Sequence, residues 1–188
     1  PTLRADIESL VAMLAPLGVD LAMTTNAIRL VDLAEPLREA GLTRVNISLD
    51  TLRPERFREI TRRDDLERTI AGIDAAIAAG LDPVKVNAVV MRGVNDDEVV
   101  DLAAFARDRG VGLRFIEFMP LDAEQGWSLD RVVPAREILE RVHAVFPLAA
   151  EPRVHAGHVE PAERFEYADG RGDVGVIASV TEPFCGDC

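Results

Sequence analysis

Apolar and polar positions along this chain switch between a helical and an extended period. Ile7, Leu10, Val11 and Leu14 recur on one helical face, and the pattern ends near Gly18. Val19 to Asn26 then reads as a strand, and Leu30 to Ala40 as a helix stopped by Gly41, with Pro36 an awkward residue inside it. Arg44 to Asp50 is a strand, and Thr51 with Pro54 starts a short helix. Asp64 or Asp65 is placed to cap a longer helix with Leu66, Ile70, Ile73 and Ile77 on one face and Gly80 as its stop. A strand follows over Pro83 to Met91, then a helix capped by Asn95 or Asp96 and ended by Gly110. Gly112 to Met119 is a strand, Trp127 anchors a loop, and Pro134 opens a helix to about Val145.

Strands alternating with helices predict a parallel sheet with right-handed crossovers. Four such strands occupy roughly 120 residues, whereas a closed eight-stranded barrel takes about 250. The expected fold is therefore α/β, a partial barrel or open sheet, over residues 1–146. Residues 147–161 turn to Pro, Gly and His without periodicity and read as a connector. Arg164 to Ala168 and Val174 to Val180 predict a hairpin around Asp169-Gly170-Arg171-Gly172, which leads the chain to Cys185 and Cys188.

The strands carry more polar residues than a sheet buried on both faces should. Val45-Asn46-Ile47-Ser48-Leu49-Asp50 alternates strictly, Lys85 and Asn87 share one face of their strand, and Thr24 and Asn26 share one of theirs. If the apolar partners face the helices, then Thr24, Asn46, Ser48, Lys85 and Asn87 face a common interior. Polar groups there need partners, which points to a lumen that takes a polar ligand. An antiparallel sheet with one wet face is the alternative. Thr24, Ser48 and Met119 lie at C-terminal strand ends, where parallel sheets place their sites. Arg114 and Glu117 can pair across the fourth strand or reach the lumen.

Composition narrows the chemistry. The formal charge of −12 argues against a nucleic-acid surface, which would need a basic stripe. No apolar run approaches the roughly 20 residues of a membrane span. Of the 21 basic residues only Lys85 is a lysine, a bias that follows genome composition. A lone interior lysine suits a phosphate, a Schiff base or a structural ion pair. The two cysteines, Cys185 and Cys188, have the spacing of half a metal or cluster site, and a reducing cytoplasm is the default for such a pair. The remaining ligands must come from elsewhere, and the chain opens on Pro1, so a segment of a longer protein is expected. His143, His155 and His158 match no ligand spacing, and the run Asn95-Asp96-Asp97-Glu98 is better explained as a helix cap than as a calcium site.

Thr24-Thr25-Asn26, Asn46-Ile47-Ser48-Leu49-Asp50, Lys85-Val86-Asn87-Ala88-Val89, Gly93-Val94-Asn95-Asp96-Asp97-Glu98, Arg114-Phe115-Ile116-Glu117-Phe118-Met119 and Phe184-Cys185-Gly186-Asp187-Cys188 follow one another in a single family's order. From end to end the chain resembles GTP 3′,8-cyclase, a radical S-adenosylmethionine (SAM) family. The resemblance implies a partial (β/α)6 barrel and two [4Fe–4S] clusters. SAM is cleaved to a 5′-deoxyadenosyl radical that takes hydrogen from C3′ of GTP, and C3′ then bonds to C8 of guanine, the first step of molybdenum cofactor synthesis. By position, Ser48 and Met119 look like SAM contacts, Thr24 and Lys85 like GTP contacts, and Cys185 and Cys188 like ligands of the second cluster, within a C-terminal region spanning 147–188. An electron donor and hand-off of product to a cyclic pyranopterin monophosphate synthase are implied as well, and a homodimer is compatible with the resemblance.

The family's C-x3-C-x2-C motif and triphosphate-binding arginines are absent, and Ala27 stands where relatives often have Gly. This chain by itself is expected to form no 5′-deoxyadenosine. Three other readings compete: a different radical SAM enzyme with an auxiliary cluster, such as a peptide maturase; a Schiff-base aldolase using Lys85; and a zinc-binding interaction module built on Cys185 and Cys188.

Overall fold

A computed structural model describes residues 1–121, 126–150 and 161–182, together with the backbone of 154–155 and 158–159. These divide into two compact units, the first holding Pro1–Leu49 and Phe57–Val86, the second Asp50–Arg56 and the chain from Asn87 onward.

The first unit contains helix α1 (Ile7–Leu14), strand β1 (Ala22–Thr25), α2 (Leu30–Glu39), β2 (Arg44–Ser48), α3 (Pro54–Thr61, which starts in the second unit), α4 (Leu66–Ala78) and the start of β3 (Val84–Val90). The sheet order here is β1-β2-β3, with β1 and β2 parallel and Met23 opposite Val45. Met23, Val45, Ile47, Val84 and Val86 are buried, as are Leu30, Leu33 and Leu37 of α2 and Ile73 and Ala76 of α4. Burying each large aliphatic side chain contributes roughly 1.5–3 kcal/mol. α2 packs along α4 and keeps Pro36 inside it. The buried stripe of α4 differs from the expected one. Leu66, Thr69, Gly72, Ile73 and Ala76 face inward, while Ile77 is 37% exposed. Small residues win because a neighbouring backbone turn comes too close for larger ones.

The second unit contains the rest of β3, α5 (Val99–Arg109), β4 (Gly112–Glu117), α6 (Ala135–His143), β5 (Leu148–Ala150), the short ladder of β6 (Val154–His155) with β7 (His158–Val159), β8 (Glu163–Tyr167) and β9 (Asp173–Ile177). Its sheet order is β3-β4-β9-β8-β5. Strands β4 and β9 are parallel, and β9-β8 and β8-β5 antiparallel, so the sheet is mixed and open. The predicted hairpin is present as β8 and β9. The stretch expected to be a structureless connector opens with β5, whose backbone bonds are satisfied by β8. Leu-Ala-Ala is too short for a period of two to register. Leu102, Ala106, Leu113, Phe115, Ile138, Val142, Val174 and Val176 form the core. Gly110 ends α5 with φ 67°, a left-handed position that suits glycine. Among the described residues no helix is long and apolar enough to cross a membrane.

Candidate functional site

β1, β2 and β3 bury their apolar positions and leave the alternate ones open, as the pleat requires. Thr24 and Ser48 are exposed, and Asn46 and Lys85 half-buried. Thr24 pairs with Asn46 in register. Val45 N–H donates to the Pro83 carbonyl at 3.3 Å, which brings Lys85 into the sheet at the level of Asn46. Thr24, Asn46 and Lys85 therefore share one row, with Ser48 one step further toward the C-terminal edge. The parallel pairing of β1 with β2 removes the reading in which the alternation came from a wet antiparallel sheet. Lys85 also reaches Asp20 electrostatically. The Arg44 guanidinium, at 2.8 Å, is the main cause holding Asp20 below the usual carboxylate range, with the Lys85 charge a smaller contribution.

The turn after Thr24 is held tightly. Ala27 N–H donates to Thr25 Oγ1 at 3.2 Å, and Thr69 Oγ1 of α4 donates to the Asn26 carbonyl at 3.2 Å. Ala27 has φ 61°, a left-handed conformation that disfavours a residue with a Cβ. The Ala27 carbonyl lies where a Cβ on Gly72 would stand, so α4 needs glycine there. These contacts set the height of Thr24 above the sheet edge.

In the second unit the loop of residues 50–56 is pinned by residues the sequence reading treated as a helix cap. Asn95 is fully buried; its Oδ1 accepts from Met91 N–H at 2.7 Å, and its Nδ2 donates to the Asp50 and Val89 carbonyls at 2.7 and 2.8 Å. Glu98, also fully buried, accepts from Thr51 Oγ1 at 2.6 Å and Leu52 N–H at 2.7 Å, and pairs with Arg56. Asp50 accepts from Val89 N–H at 2.8 Å, while burial pushes its carboxyl above the ordinary value. The cap expectation fails because these side chains turn inward to brace a loop. Asn95 keeps the N-cap position without a side-chain cap bond, and Asp96 accepts from Gly93 N–H at 2.7 Å in the turn before the helix.

Arg114 and Glu117 do not pair with each other. They point to opposite faces of β4, as residues of odd separation must. Arg114 meets Asp173 at 2.5 Å across Gly175, whose missing Cβ leaves room for the guanidinium. Glu117 is held by backbone donors. Met119, two residues beyond β4, is half-buried, and Trp127 Nε1 donates to the Phe118 carbonyl at 2.8 Å, the loop anchor expected of it. His143 is exposed and accepts from Leu148 N–H at 3.1 Å. Cys185 and Cys188 lie outside the described residues. Among the described residues no group of three His, Cys, Asp or Glu side chains is placed to hold a metal. The sequence reading passed over the bracing roles of Asp50, Asn95 and Glu98. Asn95 and Glu98 stand three residues apart in an acidic run, which on its own looks like an exposed helix start, and Asp50 continues the polar alternation of its strand.

Comparison with known proteins places these strands in context. The Radical SAM superfamily model matches residues 1–106, and the Molybdenum Cofactor Synthesis C model matches residues 111–188. A protein named GTP 3′,8-cyclase from Acidothermus cellulolyticus is 53% identical over all of this chain and 52% of its own length. Namesakes from Paenarthrobacter nicotinovorans and Xanthomonas axonopodis pv. citri are 48% and 45% identical, over 56% and 57% of their lengths. The chain thus spans about half the length of the curated relatives it matches. Among solved structures, TYW1 with a lysine–pyruvate adduct bound superposes with TM-score 0.60 at 15% identity, covering 91% of this chain and 51% of that one. Streptococcus suis SuiB superposes with TM-score 0.58 at 18% identity, covering 73% of this chain and 32% of that one. These two likenesses concern the fold.

Proposed function

This chain belongs to the radical SAM superfamily, and on that premise we propose that it is part of a GTP 3′,8-cyclase. The observation that carries the proposal is the row of Thr24, Asn46 and Lys85 on an open strand face, with Ser48 beside it. Two hydroxyls, an amide and an ammonium fit a nucleotide, since the ammonium meets phosphate as a point charge and the hydroxyls both donate and accept. Thr24 and Lys85 are the GTP contacts in this reading. Ser48 and Met119 are the SAM contacts, a hydroxyl for the polar part and a thioether for the apolar part of the cofactor.

The cofactors are SAM and two [4Fe–4S] clusters, the second held in part by Cys185 and Cys188, whose thiolates suit iron–sulfur chemistry. When bound, SAM and its cluster supply the hydrogen-abstracting radical, and the second cluster offers an open iron to the guanine. The work of this chain is to hold substrate at fixed height above β1–β3, to neutralise phosphate charge with Lys85, and to keep the Thr24 turn rigid through Thr69 and Gly72. Residues 1–146 serve as the barrel part and 147–188 as the start of the second-cluster region. A cytoplasmic setting, an electron donor, product transfer to a cyclic pyranopterin monophosphate synthase and a homodimeric assembly complete the reading.

The test uses the full-length protein that carries this chain, reconstituted without oxygen and given GTP, SAM and dithionite. A 3′,8-cyclised GTP product is expected, with one 5′-deoxyadenosine released per product. SAM cleavage with GTP left unchanged would assign another substrate within the superfamily. A colourless protein holding zinc would overturn the cluster assignment.

A further inference from the structure

We infer that Glu117 is the positioning residue for the segment that carries Cys185 and Cys188, an inference that rests on the reading of those cysteines as cluster ligands. Glu117 closes β4 and is 1% exposed. Its Oε1 accepts from Ala135 N–H at 2.9 Å and from Thr181 Oγ1 at 2.5 Å. Its Oε2 accepts from Val180 N–H and Thr181 N–H, both at 2.8 Å. One of these four donors belongs to the first turn of α6, where a negative charge is favourable. The other three belong to residues 180 and 181.

The arrangement is unusual in its economy. β9 ends at Ile177, beside the end of β4, and the chain must then leave the sheet. A single carboxylate takes hold of two consecutive backbone N–H groups and a hydroxyl at that point and ties them to the start of α6. Hydrogen bonds to an ionised acceptor are roughly twice as strong as neutral ones. Cys185 lies four residues past Thr181 in sequence, and four residues of chain reach about 14 Å at most. Cluster assembly needs thiolates at a fixed place, and an anchor so near in sequence limits the space they sample. Neither the open strand face nor the Lys85 row makes use of Glu117.

The experiment is Glu117→Gln in the full-length protein after anaerobic reconstitution, with iron counted per chain and the clusters distinguished by electron paramagnetic resonance with and without GTP. The carboxamide keeps one acceptor oxygen and turns an NH2 group toward the donors at the other, so the simultaneous hold on α6 and on residues 180–181 is broken. The expected result is a fall in iron by about half: the GTP-sensitive cluster signal disappears, while the SAM-binding cluster and SAM cleavage persist. Full iron with both signals would overturn the inference. Equal loss of both clusters would also overturn it, whatever the Tm, because the effect would then not be specific to the segment after β9. Should Glu117→Gln fail to fold, Thr181→Val decides, since it removes one donor on the segment and leaves the α6 contact. Selective loss of the second signal in that variant supports the inference, and full retention overturns it. If the parent protein itself lacks the second cluster, the cluster reading fails, and this is visible before any variant is made.

Discussion

Thr24, Asn46, Ser48 and Lys85 stand exposed or half-buried on the strands of the first unit, whereas Glu98 and Glu117 of the second are 0% and 1% exposed. Both sets are polar residues on or beside strands of an α/β sheet, yet they solve opposite problems. Glu98 and Glu117 are surrounded by donors and bound to the scaffold, so their removal leaves buried groups unpaired. The row in the first unit lies on an exposed to half-buried strand face, and in the proposed reading it meets the ligand, so its removal is expected to be felt in function more than in folding. A polar residue in a strand is thus a site candidate when its face is open, and a brace when several donors converge on it.

The largest effect expected is on the brace. Glu98→Ala strands the Thr51 hydroxyl, the Leu52 N–H and the Arg56 guanidinium, and should lower the unfolding free energy of the full-length protein by about 3–5 kcal/mol. Denaturant unfolding measures it; a loss under about 1 kcal/mol would show that Glu98 is no brace. Lys85→Ala should do the reverse. We expect kcat/KM for GTP to drop at least about a hundredfold, some 2.7 kcal/mol in transition-state binding, while stability falls by less than about 1 kcal/mol. Steady-state kinetics beside thermal unfolding of the same sample separates the two.

Gly72→Ala sharpens the comparison because it joins scaffold to site. Its Cβ would collide with the Ala27 carbonyl, so the Thr24 turn must shift. A stability loss of about 1–3 kcal/mol is expected, together with a higher KM for GTP. An unchanged KM would show that the height of this turn does not govern substrate contact. The smallest effect concerns Asp50. Burial raises its carboxyl above the ordinary 3.8, against the pull of the Val89 N–H. The folded chain therefore holds this proton more tightly than the unfolded one. The contribution is most favourable below about pH 4, falls as pH rises toward the folded-state value, and then levels off. Asp50→Asn should remove that slope and gain on the parent as pH rises from about 4 to neutrality, read from unfolding free energies across the range.

Much of this was legible in the chain. Helical and extended periods located helices α1–α6 and strands β1–β4 because burial on one side imposes those periods directly on sequence. The alternation in Val45-Asn46-Ile47-Ser48 correctly separated buried from open positions, and the ordered motifs pointed to the superfamily that the comparisons show. β5 escaped because three residues carry no period, and its pairing with β8 is set by partners distant in sequence. The same limit hid Asn95 and Glu98, whose acidic neighbourhood reads as a helix start from local sequence.

Local pattern thus determined which residues belong to strands, which faces are apolar, and which polar side chains line up along each strand. It did so because the pleat and the helical turn are properties of the backbone itself. The tertiary structure alone decided the partners. It set Thr24 beside Asn46 and Lys85, ran Arg114 across Gly175 to Asp173, drew Ala27 against Gly72, and gathered Ala135, Val180 and Thr181 around Glu117. Those meetings depend on how separate elements close on one another, and no local period encodes them.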